Sequence, residues 1–371
     1  MNLPRPEPSA GILAYAAERE ECLRDERKFA NYRKYLMSSK RVAEVDYLPI
    51  KLDIENTSRC NFACTMCAVS KWKHGKRAED MSLECFKRLI DEQYGLVEIK
   101  LNGLGEALMQ GDDYFEMIKY ARSKRIWVRM TTNASLLHLR DNYKKLIDSG
   151  VNEIDISIDG ADKQTFEGIR IQSDFDRVVS NCKLLNEYAV SQGKPWTKMW
   201  TLVQKDNYEN LQDHVYLART LGFRRLVFSL DLHGWADKEL EDRNRRVTIE
   251  LSDVRLRGLM ELGKELDIKV SFWNVNAKFQ TDRPEHLCPW PFERAVVTSD
   301  SRTVPCCMIG TPDSYEIGRG NSFIVNWLGG EYREFRRAHL TGNIPDICKG
   351  CYKQKEHTVQ ALLENRTWQD V

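Results

Sequence analysis

The sequence predicts an α/β fold: a partial (βα)6, TIM-like barrel of parallel strands, followed by a small cysteine-rich α+β unit. Three observations predict it. From residue 50 to 231 strand-like and helix-like runs alternate, the strand-like runs alternate apolar with polar residues, and cysteines cluster twice, at 60–67 and at 288–351. At 371 residues the chain is longer than one ordinary domain, which suits a large domain with an appendage.

Residues 1–48, with ECLRDERKFANYRKYLMSSKRVAEV at their centre, are charged and helix-prone and read as an N-terminal helical extension, too short for a folded peptide-recognition domain. Residues 49–235 form the barrel. Its strands are expected at 51–56, 97–103, 127–133, 153–160, 198–204 and 225–231, with helices near 82–94, 112–124, 138–149, 174–191 and 208–221. Residues 236–284 are a connector with a helix near 244–266 and a short strand at 268–273. The rest, 285–371, holds the second cysteine set and a C-terminal helix; inside it, 294–298, a turn at Ser299–Asp300–Ser301 and a strand ending at Cys306 read as a hairpin.

The alternation within the strands says what they surround. Leu52 and Ile54 flank Asp53 and Glu55; Val97, Ile99 and Leu101 alternate with Glu98, Lys100 and Asn102; Ile154, Ile156 and Ile158 alternate with Asp155, Ser157 and Asp159. One face packs on helices and the other is polar. A complete eight-stranded barrel fills its lumen with branched apolar side chains, so a polar-lined curve is expected to hold a polar ligand. Glu55, Glu98, Lys100, Arg129, Asp155 and Asp231 then either bond a hydroxyl-rich substrate or pair with one another.

Several function classes lose ground on composition. Lys plus Arg (56) against Asp plus Glu (55) leaves a formal charge of +1, so no global field draws the chain to nucleic acid or an anionic membrane. The N-terminus has no basic-then-apolar signal pattern and no run approaches a membrane span, so a cytoplasmic protein is expected. Eleven cysteines, an odd number in a long chain of this kind, read as reduced thiols used as ligands.

The first cluster is RCNFACTMC, with Cys60, Cys64 and Cys67 in C-x3-C-x2-C spacing directly after the first strand. A closed zinc site takes four ligands, and no nearby residue completes this set. Three thiolates on a [4Fe–4S] cluster leave one iron open for chemistry. The second set is Cys288, Cys306, Cys307 and the C-x2-C pair Cys348–Cys351; four of these make a valid site for zinc or for a second cluster.

The first motif, in its place after strand one, resembles the signature of the radical S-adenosylmethionine (SAM) superfamily, whose partial six-stranded barrel fits residues 50–231. The resemblance implies that the open iron binds SAM, and that its reductive cleavage yields a 5′-deoxyadenosyl radical that abstracts a substrate hydrogen. Met66 stands where many members have an aromatic residue beside the adenine. GLGE at 103–106 resembles the family's Gly-Gly-Glu motif, which puts Gly105 and Glu106 at the SAM ammonium, with Leu104 replacing a glycine. Asn133 is carried over to the ribose, Ser157 and Arg170 to the SAM carboxylate, and Gln204 is a further cofactor candidate.

CPW…C…C-x2-C after such a barrel resembles the single-auxiliary-cluster (twitch or short SPASM-type) domain. That implies a second [4Fe–4S] cluster on Cys288, Cys306, Cys348 and Cys351. Cys307 is left as a replacement ligand, a buried structural thiol or a hydrogen-atom donor. His233, in DLHGW, is a candidate base.

The function expected from these readings is an oxidoreductase of a hydroxyl-rich small molecule (sugar, aminocyclitol or nucleotide sugar), with the second cluster taking an electron and a flavodoxin or ferredoxin as reductant. The alternatives are a carbohydrate epimerase using a cysteine hydrogen donor, a peptide- or protein-modifying SPASM enzyme, and a non-catalytic zinc-binding scaffold.

Overall fold

The computed structural model describes residues 3–38, 41–72, 75–194, 196–274, 278–318 and 322–353. Helices α1 (Ile12–Cys22) and α2 (Glu26–Met37) precede strand β1 (Lys51–Ile54). The alternating part follows: α3 (Leu83–Glu92), β2 (Glu98–Leu101), α4 (Asp112–Ser123), β3 (Trp127–Thr132), α5 (Asn142–Asp148), β4 (Glu153–Ser157), α6 (Lys163–Ile169), α7 (Phe175–Ser191), β5 (Thr197–Leu202), α8 (Leu211–Thr220) and β6 (Arg225–Ser229). Beyond it lie α9 (Lys238–Val247), α10 (Asp253–Glu265), β7 (Lys269–Trp273), α11 (Trp290–Glu293), β8 (Arg294–Val297), β9 (Thr303–Val304), α12 (Phe323–Leu328) and α13 (Gly330–Leu340).

All the strands join one sheet in the order β7-β6-β5-β4-β3-β2-β1-β8-β9. Every neighbouring pair is parallel except the β8–β9 hairpin. The six expected strands are therefore extended at both edges, by β7 beside β6 and by β8 beside β1. The β1–β8 ladder runs from Lys51 opposite Arg294 to Ile54 opposite Val297, so the hairpin before the second cysteine set continues the barrel sheet.

Period-two patterning is realised on the helix side. Leu52, Ile54, Ile99, Leu101, Ile154, Ile156, Met199 and Phe228 are fully buried there, each contributing about 1.5–3 kcal/mol through its buried apolar surface. The helix expected at 244–266 is two helices, because Thr248 turns extended and Ser252 caps α10 by accepting from the Arg255 N–H at 3.3 Å. The helix expected from 138 starts at Asn142, since Arg140 and Asp141 have φ of 47° and 58°. The C-terminal helix expected after Cys351 falls outside the described residues. Among the described residues no helix is long and apolar enough to cross a membrane.

The N-terminal segment closes the end of the barrel where the strands begin. The Ser9 N–H donates to Glu153 at 2.8 Å, Lys198 to the Glu7 carbonyl at 2.9 Å, the Phe272 N–H to the Pro4 carbonyl at 2.8 Å, and the Tyr15 hydroxyl to Glu98 at 2.7 Å. Tyr15 also meets Trp127 edge-on, with ring centroids 5.0 Å apart. Beneath this plug the lumen charges pair with each other: Glu98 with Lys51 and Arg129, both at 3.5 Å, and Lys198 with Glu153 and Asp155. At the other end, Glu55 accepts from Arg77 at 2.5 Å and from the Ser299 N–H at 3.1 Å, which clamps β1 to β8.

For four of the six lumen charges the second of the two expected outcomes, pairing, holds. Glu55, Glu98, Arg129 and Asp155 serve internal ion pairs; a polar period in a strand looks the same whether its partner is a ligand or another strand.

Glu98 generates a test. Burial opposes its charge, but Lys51, Arg129 and Arg294 outweigh burial and hold its carboxyl at about 2, against 4.5 unfolded. Its stabilisation is thus complete above about pH 4.5 and fades as pH falls toward 2. Glu98→Gln removes a buried counter-charge that Lys51 and Arg129 share and is expected to lower unfolding free energy by about 3–5 kcal/mol in urea titrations. A loss below about 1 kcal/mol at neutral pH would show that this network does not hold the barrel floor.

Candidate active site

The sequence-predicted residues gather at the opposite end, beyond the C-terminal ends of the strands, where parallel α/β sheets place their sites. The chain leaving β1 is fastened before it reaches the cysteines. Thr57 and Arg59 bond Asp80, the latter through Nε at 3.1 Å, and Ser58 accepts from the N–H groups of Arg77 (3.1 Å) and Ala78 (2.9 Å). The loop itself docks on the end of α6: Ala63 N–H to Ile171 O and Thr65 N–H to Ile169 O, both 2.9 Å. Arg170 therefore sits between two backbone bonds that hold the cysteine loop.

The three thiols form one electrostatic group. Burial, with smaller contributions from Glu106 and from the Cys64 and Cys67 thiols, pushes Cys60 up to about 12; burial likewise pushes Cys64 up to about 12 and raises Cys67, while Arg170 works against burial at the last two. Buried thiols that hinder each other's ionisation become thiolates when a cationic centre takes them as ligands. Among the described residues no three Cys, His, Asp or Glu side chains are gathered closely enough to hold a single metal ion.

The cofactor candidates surround this loop, some with roles the sequence did not show. Gly105 packs against it: a Cβ there would lie 2.5 Å from the Thr57 and Arg59 carbonyl oxygens. The next residue, Glu106, donates its N–H to Arg59 O at 2.7 Å, and its carboxylate accepts from Thr132 Oγ1 and the Asn133 N–H, both 2.7 Å. Asn133 in turn donates to Asn61 at 3.1 Å and approaches Cys60 Sγ at 4.0 Å. Arg170 pairs with Asp159 at 2.6 Å; Asp159 also accepts from the Leu202 N–H at 2.8 Å. Gln204 is fully buried, and among the described residues neither its amide oxygen nor its nitrogen has a partner. Ser157 ends β4, partly buried, in register with Trp200.

Two bridging residues escaped the sequence reading. Asp159 was visible in SIDG, but nothing in the pattern marked it as the Arg170 partner. Asn244, on α9, donates to the carbonyls of Met66 (3.1 Å) and His233 (2.6 Å), tying the cysteine loop to the loop after β6. No local signal marks such a residue. Trp235 continues the chain of contacts: its carbonyl accepts from Ser314 at 3.3 Å, and Gly310 is so close that a Cβ would lie 2.4 Å from the indole. His233 is mostly buried with Nε2 unpartnered, and burial lowers its pKa to about 4, so the ring is neutral at physiological pH.

The second cysteine set also comes together. Cys288 feels the charges of Cys351 and Cys348, and Cys306 those of Cys307, Cys288 and Cys351. The Cys348–Cys351 turn is pinned by the Phe279 N–H to Cys351 O (2.9 Å), and the Cys288 N–H donates to the Tyr352 hydroxyl (3.0 Å). Cys307 shares a hydrogen bond with Cys306 and feels Asp53, Lys100 and Arg294 of the lumen. It stands between the second set and the barrel.

Comparison with known proteins places this arrangement. Residues 54–218 match the model of the Radical SAM superfamily. The match runs from the end of β1 into α8. The chain is 28% identical over 175 residues to the mycofactocin maturase MftC of Mycolicibacterium smegmatis, covering 47% of this chain and 43% of that relative. It is 23% identical over 330 residues to the PqqA peptide cyclase of Bradyrhizobium diazoefficiens, covering 85% and 82%. In fold it resembles Streptococcus suis SuiB bound to S-adenosylmethionine, with TM-score 0.61 and 15% identity over 83% of this chain and 72% of that one. The match to that family supports SAM and the [4Fe–4S] cluster that binds it, and the three thiols of one loop, a buried amide unpartnered among the described residues and a buried guanidinium–carboxylate pair fit them.

Two variants test the site. Cys64→Ala is expected to abolish 5′-deoxyadenosine formation while the circular dichroism spectrum stays native; cleavage at the parent rate would remove Cys64 from the ligand set. In Gly105→Ala the new methyl meets backbone oxygens that cannot yield, so iron content after anaerobic reconstitution should fall at least severalfold, measured by ferrozine assay.

Proposed function

We propose that this radical SAM enzyme modifies a peptide, with one [4Fe–4S] cluster on Cys60, Cys64 and Cys67 and a second on Cys288, Cys306, Cys348 and Cys351. The observation that carries the substrate class is the similarity to PqqA peptide cyclase, which runs through most of both chains. The reading of a hydroxyl-rich small molecule drew on the polar lumen, and Glu98, Arg129 and Asp155 serve the floor of the barrel while Glu55 serves a pair at the other end.

Bound to its cluster, SAM supplies a carbon radical able to remove a hydrogen atom from an unactivated C–H bond. Arg170, held by Asp159, offers a guanidinium to the SAM carboxylate, with Ser157 nearby. Gln204 has both amide groups available to the cofactor, Asn133 reaches the loop from the side of Cys60, and Met66 gives an apolar contact. The sealed floor leaves the C-terminal end of the strands as the way in. His233, neutral near pH 7, can accept a proton released from the substrate, and Cys307 lies where a substrate radical would meet the second cysteine set. A low-potential reductant such as flavodoxin or ferredoxin would supply the electron for SAM cleavage.

Cys348→Ala separates the two cysteine sets. It is expected to retain 5′-deoxyadenosine production but to lose the modified peptide, read by mass spectrometry after incubation with candidate precursor peptides. Full product from this variant would rule out a role for the second set in turnover. Coupled radical turnover on sugars or aminocyclitols, with none on peptides, would overturn the substrate class.

A further inference from the structure

One pair of opposite charges in the lumen is left open. Asp53 on β1 and Lys100 on β2 are register partners, yet among the described residues neither makes a hydrogen bond or ion pair. One step toward the floor, the partners Lys51 and Glu98 do close, at 3.5 Å. Lys100 keeps partial exposure although Ile99 and Leu101 on either side are fully buried, so its side chain points into space inside the barrel. Both charges act on the Cys307 thiol, which sets the pair near the second cysteine set. Across the sheet Trp200 and Trp273, both partly buried, form an aromatic pair with centroids 6.0 Å apart. A partly desolvated ammonium that makes no direct ion pair gains more from an arriving anion than an exposed one does.

We propose that Lys100 and Asp53 form a substrate subsite in which Lys100 receives a carboxylate and Asp53 an adjacent N–H, with Trp200 and Trp273 as the apolar wall. This rests on the peptide reading, in which the group is an Asp or Glu side chain and the N–H its neighbouring backbone amide.

The test uses the reconstituted, SAM-loaded enzyme and three probes: the capped tripeptide acetyl-Ala-Glu-Ala-amide, its Gln counterpart, and glutarate, followed by isothermal titration calorimetry. The Glu peptide is expected to bind about tenfold or more tightly than the Gln peptide. Lys100→Met should erase that difference, and Lys100→Glu should shift preference to a Lys-centred peptide, a gain that misfolding does not produce. Peptides that bind equally well with Glu or Gln, in parent and Lys100→Met alike, overturn the subsite and leave the peptide reading standing. Lys100-dependent binding of glutarate without binding of either peptide supports the subsite and overturns the peptide reading. No detectable binding of any of the three overturns the subsite.

Discussion

The site depends on one buried carboxylate. Glu106 sits at the exit of β2, accepts from Thr132 and Asn133 at the exit of β3, and through its own N–H holds the Arg59 carbonyl at the exit of β1. Burial raises its pKa, and its donors work to keep it charged. Three neighbouring strands are thereby gathered at one point, and the cysteine loop starts from that point. Asn133 then reaches Asn61 and Cys60 because its own backbone is held by the same carboxylate.

Much of the frame was legible in the residues. The period-two strands and the helices between them appear where their patterns put them, because a strand that buries one face on helices has few other solutions. What could not be read was the destination of each polar side chain. Asp155 and Glu98 have the same sequence pattern as Asp53 and Lys100, yet the first two meet cations at the floor while the last two remain open. Asp159 and Asn244 were hidden for a similar reason: their partners, Arg170 and the carbonyls of Met66 and His233, are distant in sequence or belong to the backbone. The hairpin at 294–306 was legible, but its pairing with β1 was not, since parallel partners carry no turn signal to announce them.

That pairing governs how the two cysteine sets relate. The chain that leads to Cys60 leaves β1, while Cys306 follows β9, which pairs antiparallel with β1's neighbour β8; Glu55 ties the exit of β1 to the β8–β9 turn by bonding Ser299. A second link runs from Met66 through Asn244 to His233, and from Trp235 to Ser314 and Gly310. Both cysteine segments are thus tied to one sheet. Cys307, hydrogen-bonded to Cys306, faces the open pair in the lumen.

The plug formed by residues 4–15 bears on how the chain assembles. Its partners include Phe272 on β7, so the contact between Pro4 and that strand spans nearly the whole barrel in sequence. During synthesis the N-terminal segment emerges first and must wait until β7 has left the ribosome before it can settle. Until then Glu98, Glu153 and Lys198 are without their final coordination. Contacts of such long range slow folding, since their loop-closure entropy is lost before they reward it. The segment made ahead of the barrel is thus among the last to dock, and closure of the floor is a late step of the fold.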